Sequence, residues 1–164
     1  MTLTSAALTS GGTFQALNTC AGANTSPPLT WSAGPVGTMS YAVDLTDLSI
    51  SAVHWVIWDI PAGTTSLPAA LPGDTTLTTP VTAKQLHRAA FFGPGGAYRG
   101  PCPNGATHNY RFQVNAIGAA TLAGVSNTST SDDVKGLVQA ASLGHGDLAG
   151  TSNAAAAPAD AAAQ

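Results

Sequence analysis

Val53-His54-Trp55-Val56-Ile57-Trp58-Asp59-Ile60 is apolar almost throughout and ends against Pro61. A strand with one wet face alternates apolar with polar residues, so a run that barely alternates predicts a strand covered on both faces, as at the centre of a sandwich. His54, near its start, is conspicuous.

The flanking segments do alternate. Tyr41, Val43 and Leu45 interleave with Ala42 and Asp44, and Tyr110, Phe112, Val114 and Ala116 interleave with Arg111, Gln113 and Asn115. Each pattern predicts a strand with one core face and one polar face, which places Asp44 on the solvent side. Gly11-Gly12, Pro27-Pro28, Gly34-Pro35, Pro61, Pro72-Gly73, Gly93-Pro94-Gly95-Gly96 and Gly100-Pro101 break the chain at short intervals. Short apolar stretches punctuated this way have the rhythm of an all-β domain.

One helix is expected near the C-terminus. Ser131 is placed to cap it, Asp132 and Asp133 lie in its positive first turn, Val134, Leu137, Val138 and Ala141 share a face, and Gly144 is the expected stop. A second, marginal helical piece is expected from Thr82 through Ala90, with His87 on its surface. From Asn153 onward the chain is Ala-rich with Pro158 in its midst, and residues 153–164 are expected to be a disordered tail behind a single domain of residues 1–152.

Only 8% of the 164 residues are charged, the acidic ones are all Asp, and the net charge is −3. No Lys or Arg cluster offers a footprint for a phosphate backbone or an anionic membrane, so nucleic-acid binding is disfavoured. No apolar run is long enough for a spanning helix, and Met1-Thr2-Leu3-Thr4 has neither a basic region nor an apolar signal core. A Met directly ahead of a strand-like, Thr-rich segment is what an exported domain looks like once its signal is gone, and a secreted or periplasmic location is the expectation.

Cys20 and Cys102 lie far apart, each in a loop and neither in a CxxC pair, a spacing that argues against zinc. Paired, they would close a long loop, stabilise the fold by roughly 3 to 5 kcal/mol and fit an oxidising compartment. Unpaired, they would be two loop thiols; the disulfide is the expectation.

Three segments carry more character than composition requires. They are Asn24-Thr25-Ser26-Pro27-Pro28-Leu29-Thr30-Trp31, the His54-Trp55 strand ending in Ile60-Pro61, and Tyr98-Arg99-Gly100-Pro101-Cys102-Pro103-Asn104-Gly105-Ala106-Thr107-His108-Asn109-Tyr110. In motif and order they resemble the hallmark segments of the phosphatidylethanolamine-binding protein family, including the bacterial Raf-kinase-inhibitor-like proteins. The resemblance runs from Leu3 to about Ser152 and includes Gly144-His145.

The resemblance implies an antiparallel Greek-key β-sandwich with a short C-terminal helix. It also implies a pocket for phosphate-like or carboxylate-like anions, phospholipid head groups among them. Carried over by position, the pocket uses Asp47, His54, His108 and Tyr110, with Gly100 and Pro101 supplying backbone and shape. Two imidazoles and a phenol can donate to one anion, and Asp47 can fix a histidine tautomer. With no Lys or Arg in that set, affinity should fall as pH rises through the histidine range. Two departures touch the pocket rim: the family's Asp-Pro-Asp turn reads Asp47-Leu48-Ser49, and the Pro-Pro that often follows the Cys reads Pro103-Asn104.

Elsewhere the bland readings prevail. Trp31, Trp55 and Trp58 serve the core, His145 is structural, and Asp59 belongs to a turn or solvent face. Three functions compete. The leading one is a binding protein for a small anion or phospholipid head group, without cofactor or metal. The second is a module docking a phosphorylated or acidic segment of a protein partner. The third, an acid–base enzyme, is disfavoured: no Ser or Cys nucleophile is placed beside a base, although Cys102 is near the site in sequence, and no catalytic residue is assigned. Glycine-rich phosphate loops, HExxH helices and GxSxG elbows are absent from the sequence.

Overall fold

The computed structural model describes residues 1–156. In chain order the strands are β1 (Leu3–Thr4), β2 (Gly12–Thr13), β3 (Leu29–Trp31), β4 (Ser40–Asp47), β5 (Ala52–Pro61), β6 (Ser66–Leu67), β7 (Thr76–Leu77), β8 (Ala83–His87), β9 (His108–Ile117) and β10 (Ser142–Ser152). Two α-helices join them, α1 (Ala89–Phe92) and α2 (Ser131–Ala141), so the described chain is mostly β with little helix.

A larger sheet has the order β2-β10-β9-β4-β5-β8-β7 and a smaller one β1-β3-β6. Alternation decides what lies between them. Tyr41, Val43 and Leu45 of β4, Trp55 and Ile57 of β5, and Tyr110, Phe112 and Val114 of β9 share one apolar cluster with Leu3, Leu29, Trp31 and Leu67 of the smaller sheet. Removing that area from water is the main stabilising term. The other face carries a second cluster, in which Val53, Val56 and Trp58 meet Val134 and Val138 of α2. The run at residues 53–60 is therefore covered on both sides, and all three tryptophans are buried.

The sheets are not purely antiparallel. Gly150 and Thr151 of β10 pair parallel with Gly12 and Thr13 of β2, which corrects the antiparallel expectation. A two-residue strand placed after a long loop can approach the edge from either direction.

The segment from Thr82 to Ala90 is corrected too. Ala83–His87 forms strand β8 against β5, with His87 opposite Trp55, and only Ala89–Phe92 is helical. A helix this short has little to offset its nucleation cost, whereas a strand here gains sheet hydrogen bonds and buries Ala83, Gln85 and His87. His87 is thus a buried residue, not a surface one: its Nδ1 and Nε2 lie 3.0 Å and 2.8 Å from the carbonyl oxygens of Ala97 and Gly93.

Helix α2 forms where expected, but its cap is Thr130. The Thr130 hydroxyl accepts from the Asp133 N–H and the Asp133 carboxylate accepts from the Thr130 N–H, a reciprocal capping box. Ser131, the expected cap, donates instead to the Val53 carbonyl at 3.2 Å. The helix ends at Ala141, and Gly144 lies in β10 opposite Ala116. His145, on the same strand opposite Asn115, is exposed.

Because α2 covers the second sheet face, Asp44 does not meet solvent. It is 1% exposed, with the Lys135 ammonium 3.1 Å and the Thr46 hydroxyl 2.7 Å from its Oδ1. Asp59 sits at an irregularity between β4 and β5 with φ 59°, where it pairs with Lys84 at 3.0 Å and accepts from the Leu122 N–H. Of the tail, residues 153–156 have neither helix nor strand, and the rest lies outside the described residues.

Candidate functional site

Strands β9, β4 and β5 are neighbours in the larger sheet, so their antiparallel order brings the end of β4 and the starts of β5 and β9 to one edge of the fold. Asp47 closes β4, His108 opens β9, and Asp47 stands opposite Tyr110 in the register. His54 enters by a different device. Leu45 pairs with Trp55 while the next residue, Thr46, pairs with Val53, so His54 is the extra residue of a β-bulge. Bulges re-aim side chains. This one leaves Val53 in the cluster under α2 and Trp55 in the main core, with His54 at the cavity between the strand ends.

The cavity has a volume of about 240 Å3, and Asp47, His54 and His108 line it together with Ile50, Phe91, Phe92, Cys102 and Pro103. His108 Nδ1 lies 2.7 Å from Asp47 Oδ2, and Asp47 Oδ1 accepts from the Ser49 N–H at 2.9 Å. His54 Nδ1 lies 3.2 Å from the Gly100 carbonyl oxygen. A carboxylate and a carbonyl are acceptors only, so both imidazoles donate from Nδ1. Burial holds His54 below the usual histidine range, against the pull of the Asp47 charge and of the Gly100 and Arg99 carbonyls.

Tyr110 stands behind the imidazoles. Its ring meets His54 edge-on at 5.5 Å and stacks with His108 at 6.3 Å. Its hydroxyl is buried without a hydrogen-bond partner, and burial, followed by the charge of Asp47, pushes the phenol above its ordinary value.

Gly100 and Pro101 contribute through backbone. The Gly100 N–H donates to the Asn24 side chain at 2.8 Å, the Pro101 carbonyl accepts from the Cys20 N–H at 3.1 Å, and a Cys20–Cys102 disulfide joins the two loops. A side chain at position 100 has no room: its Cβ would lie 2.0 Å from the Asn18 carbonyl oxygen. The Asn24 and Gly100 motifs, far apart in sequence, therefore form one structural unit beside His54.

The structure thus gathers all six expected residues at one edge, but only Asp47, His54 and His108 line the cavity itself. Sequence reasoning missed Ile50, Phe91 and Phe92, whereas Pro103 belongs to the segment the sequence had marked as pocket rim. The Phe91-Phe92 pair ahead of a Gly-Pro-Gly-Gly loop was the available signal, since adjacent aromatics on a short exposed segment need a purpose. The Arg88 and Arg99 guanidiniums sit over the Phe91 and Phe92 rings at 4.9 Å and 5.5 Å, and Arg88 is also paired with Asp132.

A larger groove of about 420 Å3 opens near Met39, Pro61 and Leu77, but its charged residues, Asp59 and Lys84, already satisfy each other. Among the described residues no three His, Cys, Asp or Glu side chains gather as a metal site, and no helix is long and apolar enough to cross a membrane.

The pattern of the family described as phosphatidylethanolamine-binding protein matches residues 4–153. A UPF0098 protein of Methanothermobacter thermautotrophicus is 29% identical over 92% of this chain and 97% of its own length. The crystal structure of Escherichia coli YbcL, described as a member of the mammalian PEBP family, superposes with a TM-score of 0.77 at 29% identity, covering 93% of this chain and 98% of that one. A Mycobacterium tuberculosis protein described as a lipoprotein, LppC, is 30% identical over 70% of this chain and 54% of its own length.

Proposed function

The chain belongs to the phosphatidylethanolamine-binding protein family, and from that premise we propose that it is a binding protein whose cavity at Asp47, His54 and His108 takes one small oxyanion, phosphate or a phospholipid head group. One observation carries the reading. Two imidazoles with their Nδ1 atoms anchored, one on Gly100 and one on Asp47, line the same small cavity beside a buried phenol without a partner. Groups held this way need no reorganisation when a ligand arrives.

Binding without turnover is the reading because Cys102 is held in a disulfide and among the described residues no serine or threonine hydroxyl is hydrogen-bonded to a histidine. The two sheets facing a shared core support the Greek-key sandwich that the resemblance implies. The disulfide and the likeness to a protein described as a lipoprotein support an extracytoplasmic location.

A second reading, docking of a phosphorylated or acidic segment of a partner protein, is favoured by one feature. Ile50 and Phe91 line the cavity and are each about half exposed, so the cavity mouth is apolar.

The test is calorimetric titration of phosphate and phosphoethanolamine into the protein and its His108→Ala variant at mildly acidic pH. Binding that the variant loses supports the oxyanion site. Binding by neither protein overturns it and leaves the apolar mouth as the working surface.

A further inference from the structure

An oxyanion site is usually a cluster of donors, and this cavity is the reverse. Each imidazole spends its Nδ1 hydrogen on a fixed acceptor, Gly100 O for His54 and Asp47 Oδ2 for His108. In a neutral ring the other nitrogen is then a bare lone pair, so Nε2 accepts in both residues. Asp47 adds a buried carboxylate.

No lysine or arginine lines the cavity. The nearest guanidiniums are held on the phenylalanine rings of its wall, and Arg88 is further tied to Asp132. A fully deprotonated dianion entering here would meet lone pairs and a negative charge. An oxyanion that brings its own hydrogen would find an acceptor for it.

We propose that the cavity selects an oxyanion that still carries a proton, of which the monoanion of a phosphomonoester is the type, with the ligand hydroxyl donating to Nε2 of His54. This rests on the reading of the cavity as an oxyanion site and narrows it. His54 is the acceptor because of what surrounds it. Asp47 on β4 and the Gly100 and Arg99 carbonyls pull a proton towards the ring. Arg88 ahead of α1 repels one, and the rings of Tyr110, Phe91 and Phe92 exclude the water that would solvate an imidazolium. Exclusion of water is the largest of these influences, and it favours the neutral ring. His108, less buried than His54, keeps its Nδ1 hydrogen on the Asp47 carboxylate.

The chemistry separates ligands that charge alone would group together. Inorganic phosphate, phosphoethanolamine and phosphatidic acid all offer a P–OH when protonated, with a second ionisation at about pH 6 for a phosphomonoester. Sulfate has nearly the same shape and no proton to give. The diester head group of phosphatidylethanolamine has none either.

The experiment is calorimetric titration of the full chain with inorganic phosphate, phosphoethanolamine and sulfate at pH values on either side of that ionisation. Flotation with vesicles containing phosphatidic acid or phosphatidylethanolamine is run alongside. The expected result is binding of the phosphates that strengthens as pH falls, with sulfate weaker by roughly tenfold or more below that ionisation, the size of one lost hydrogen bond to a buried acceptor, and the gap closing above it. His54→Phe should lower phosphate affinity towards that of sulfate and leave sulfate unchanged, in protein whose circular dichroism is native.

Flotation with phosphatidic acid vesicles alone would point to a lipid source for the phosphomonoester, and titration by soluble phosphates without flotation to a free one; both support the selection. Sulfate binding as tightly as phosphate below the phosphate ionisation, or flotation with phosphatidylethanolamine matching phosphatidic acid, overturns it while leaving the oxyanion site standing. No binding of any anion overturns both.

Discussion

His108 Nδ1 lies 2.7 Å from Asp47 Oδ2, across two strand ends that are neighbours in the sheet. Asp47 is 1% exposed and its other oxygen accepts from the Ser49 N–H, so the carboxylate is satisfied by two donors and by no fixed cation. Removing His108 leaves one oxygen buried and unpaired. His108→Ala should therefore cost about 1–3 kcal/mol of stability, the penalty for an orphaned buried acceptor. Adding Asp47→Asn should recover part of that loss, because an amide costs less to bury than a carboxylate. Urea unfolding of the two variants checks this, and a double variant no more stable than His108→Ala would contradict it.

The depressed imidazole of His54 makes stability depend on pH with a definite sign. Its folded value lies below the ordinary histidine value of 6.5, so in the interval beneath 6.5 the unfolded chain binds more protons than the native one. The contribution is fully present above 6.5 and is lost as pH falls through the folded value. Unfolding free energy should decline on acidification through this window, and His54→Phe should flatten the decline. Oxyanion binding that brings a proton to the site acts oppositely, so phosphate should protect more at pH 5.5 than at pH 7.5. Thermal shifts with and without phosphate measure both effects.

Gly100 is required by close approach. A Cβ there would sit 2.0 Å from the Asn18 carbonyl oxygen, a backbone atom that cannot move alone because Tyr98 Oη donates to it. Gly100→Ala should cost about 3 kcal/mol, at the upper end of overpacking. It should also weaken phosphate binding, since the displaced carbonyl is the one that fixes His54. Asn24→Ala, which frees the Gly100 N–H, should cost about 1 kcal/mol and keep most of the binding. Equal effects of the two on phosphate affinity would show that the carbonyl position does not matter.

The Cys20–Cys102 bond closes a separation of 82 residues and has one end in the cavity wall. Replacing both cysteines by serine should cost roughly 3 to 5 kcal/mol. Phosphate affinity should fall as well, because Cys102 is two residues from the carbonyl that holds His54. Calorimetry on the reduced protein, under conditions where it stays folded, separates the two effects.

Much of this was readable in the residues. Strands β4, β5 and β9 follow from alternation and from the doubly apolar run at residues 53–60, and α2 from its apolar face and acidic first turn. Period-2 patterning failed where it had too few residues to speak, at Thr82–Ala90, where strand and helix templates fit equally well until β5 supplies a partner. It also says which residues share a face without saying what will cover that face, so Asp44 looked solvated until α2 packed over it. The cavity shows the same division. Its polar floor sits in motifs, whereas Ile50, Phe91 and Phe92 reach it from loops and a single helical turn whose positions depend on long-range packing. The bulge at His54 is likewise a property of the pairing with β4, invisible in one strand read alone.

The buried pair beneath α2 extends these electrostatics to the far face of the sheet. Burial raises the Asp44 carboxyl above its ordinary value, and Lys135, 3.1 Å away, is the largest influence opposing that rise. Asp44 Oδ2 has no partner at all. Lys135→Met keeps the aliphatic stem but removes the only ammonium at the pair, leaving a buried carboxylate with the Thr46 hydroxyl alone on Oδ1. The loss should be about 3–5 kcal/mol, as for breaking other buried ion pairs. It should grow with pH: in the variant the carboxyl rises further above 3.8, so between that value and its folded value the native state binds more protons than the unfolded one, and stability falls as pH climbs through the interval. Asp44→Leu combined with Lys135→Met removes both charges and should restore most of the stability, because apolar side chains of similar volume need no compensation in that site. Chemical unfolding of both variants at pH 5 and pH 8 tests the assignment. A Lys135→Met protein whose deficit is the same at the two pH values would mean that Asp44 does not ionise in the fold and that Lys135 stabilises by packing alone.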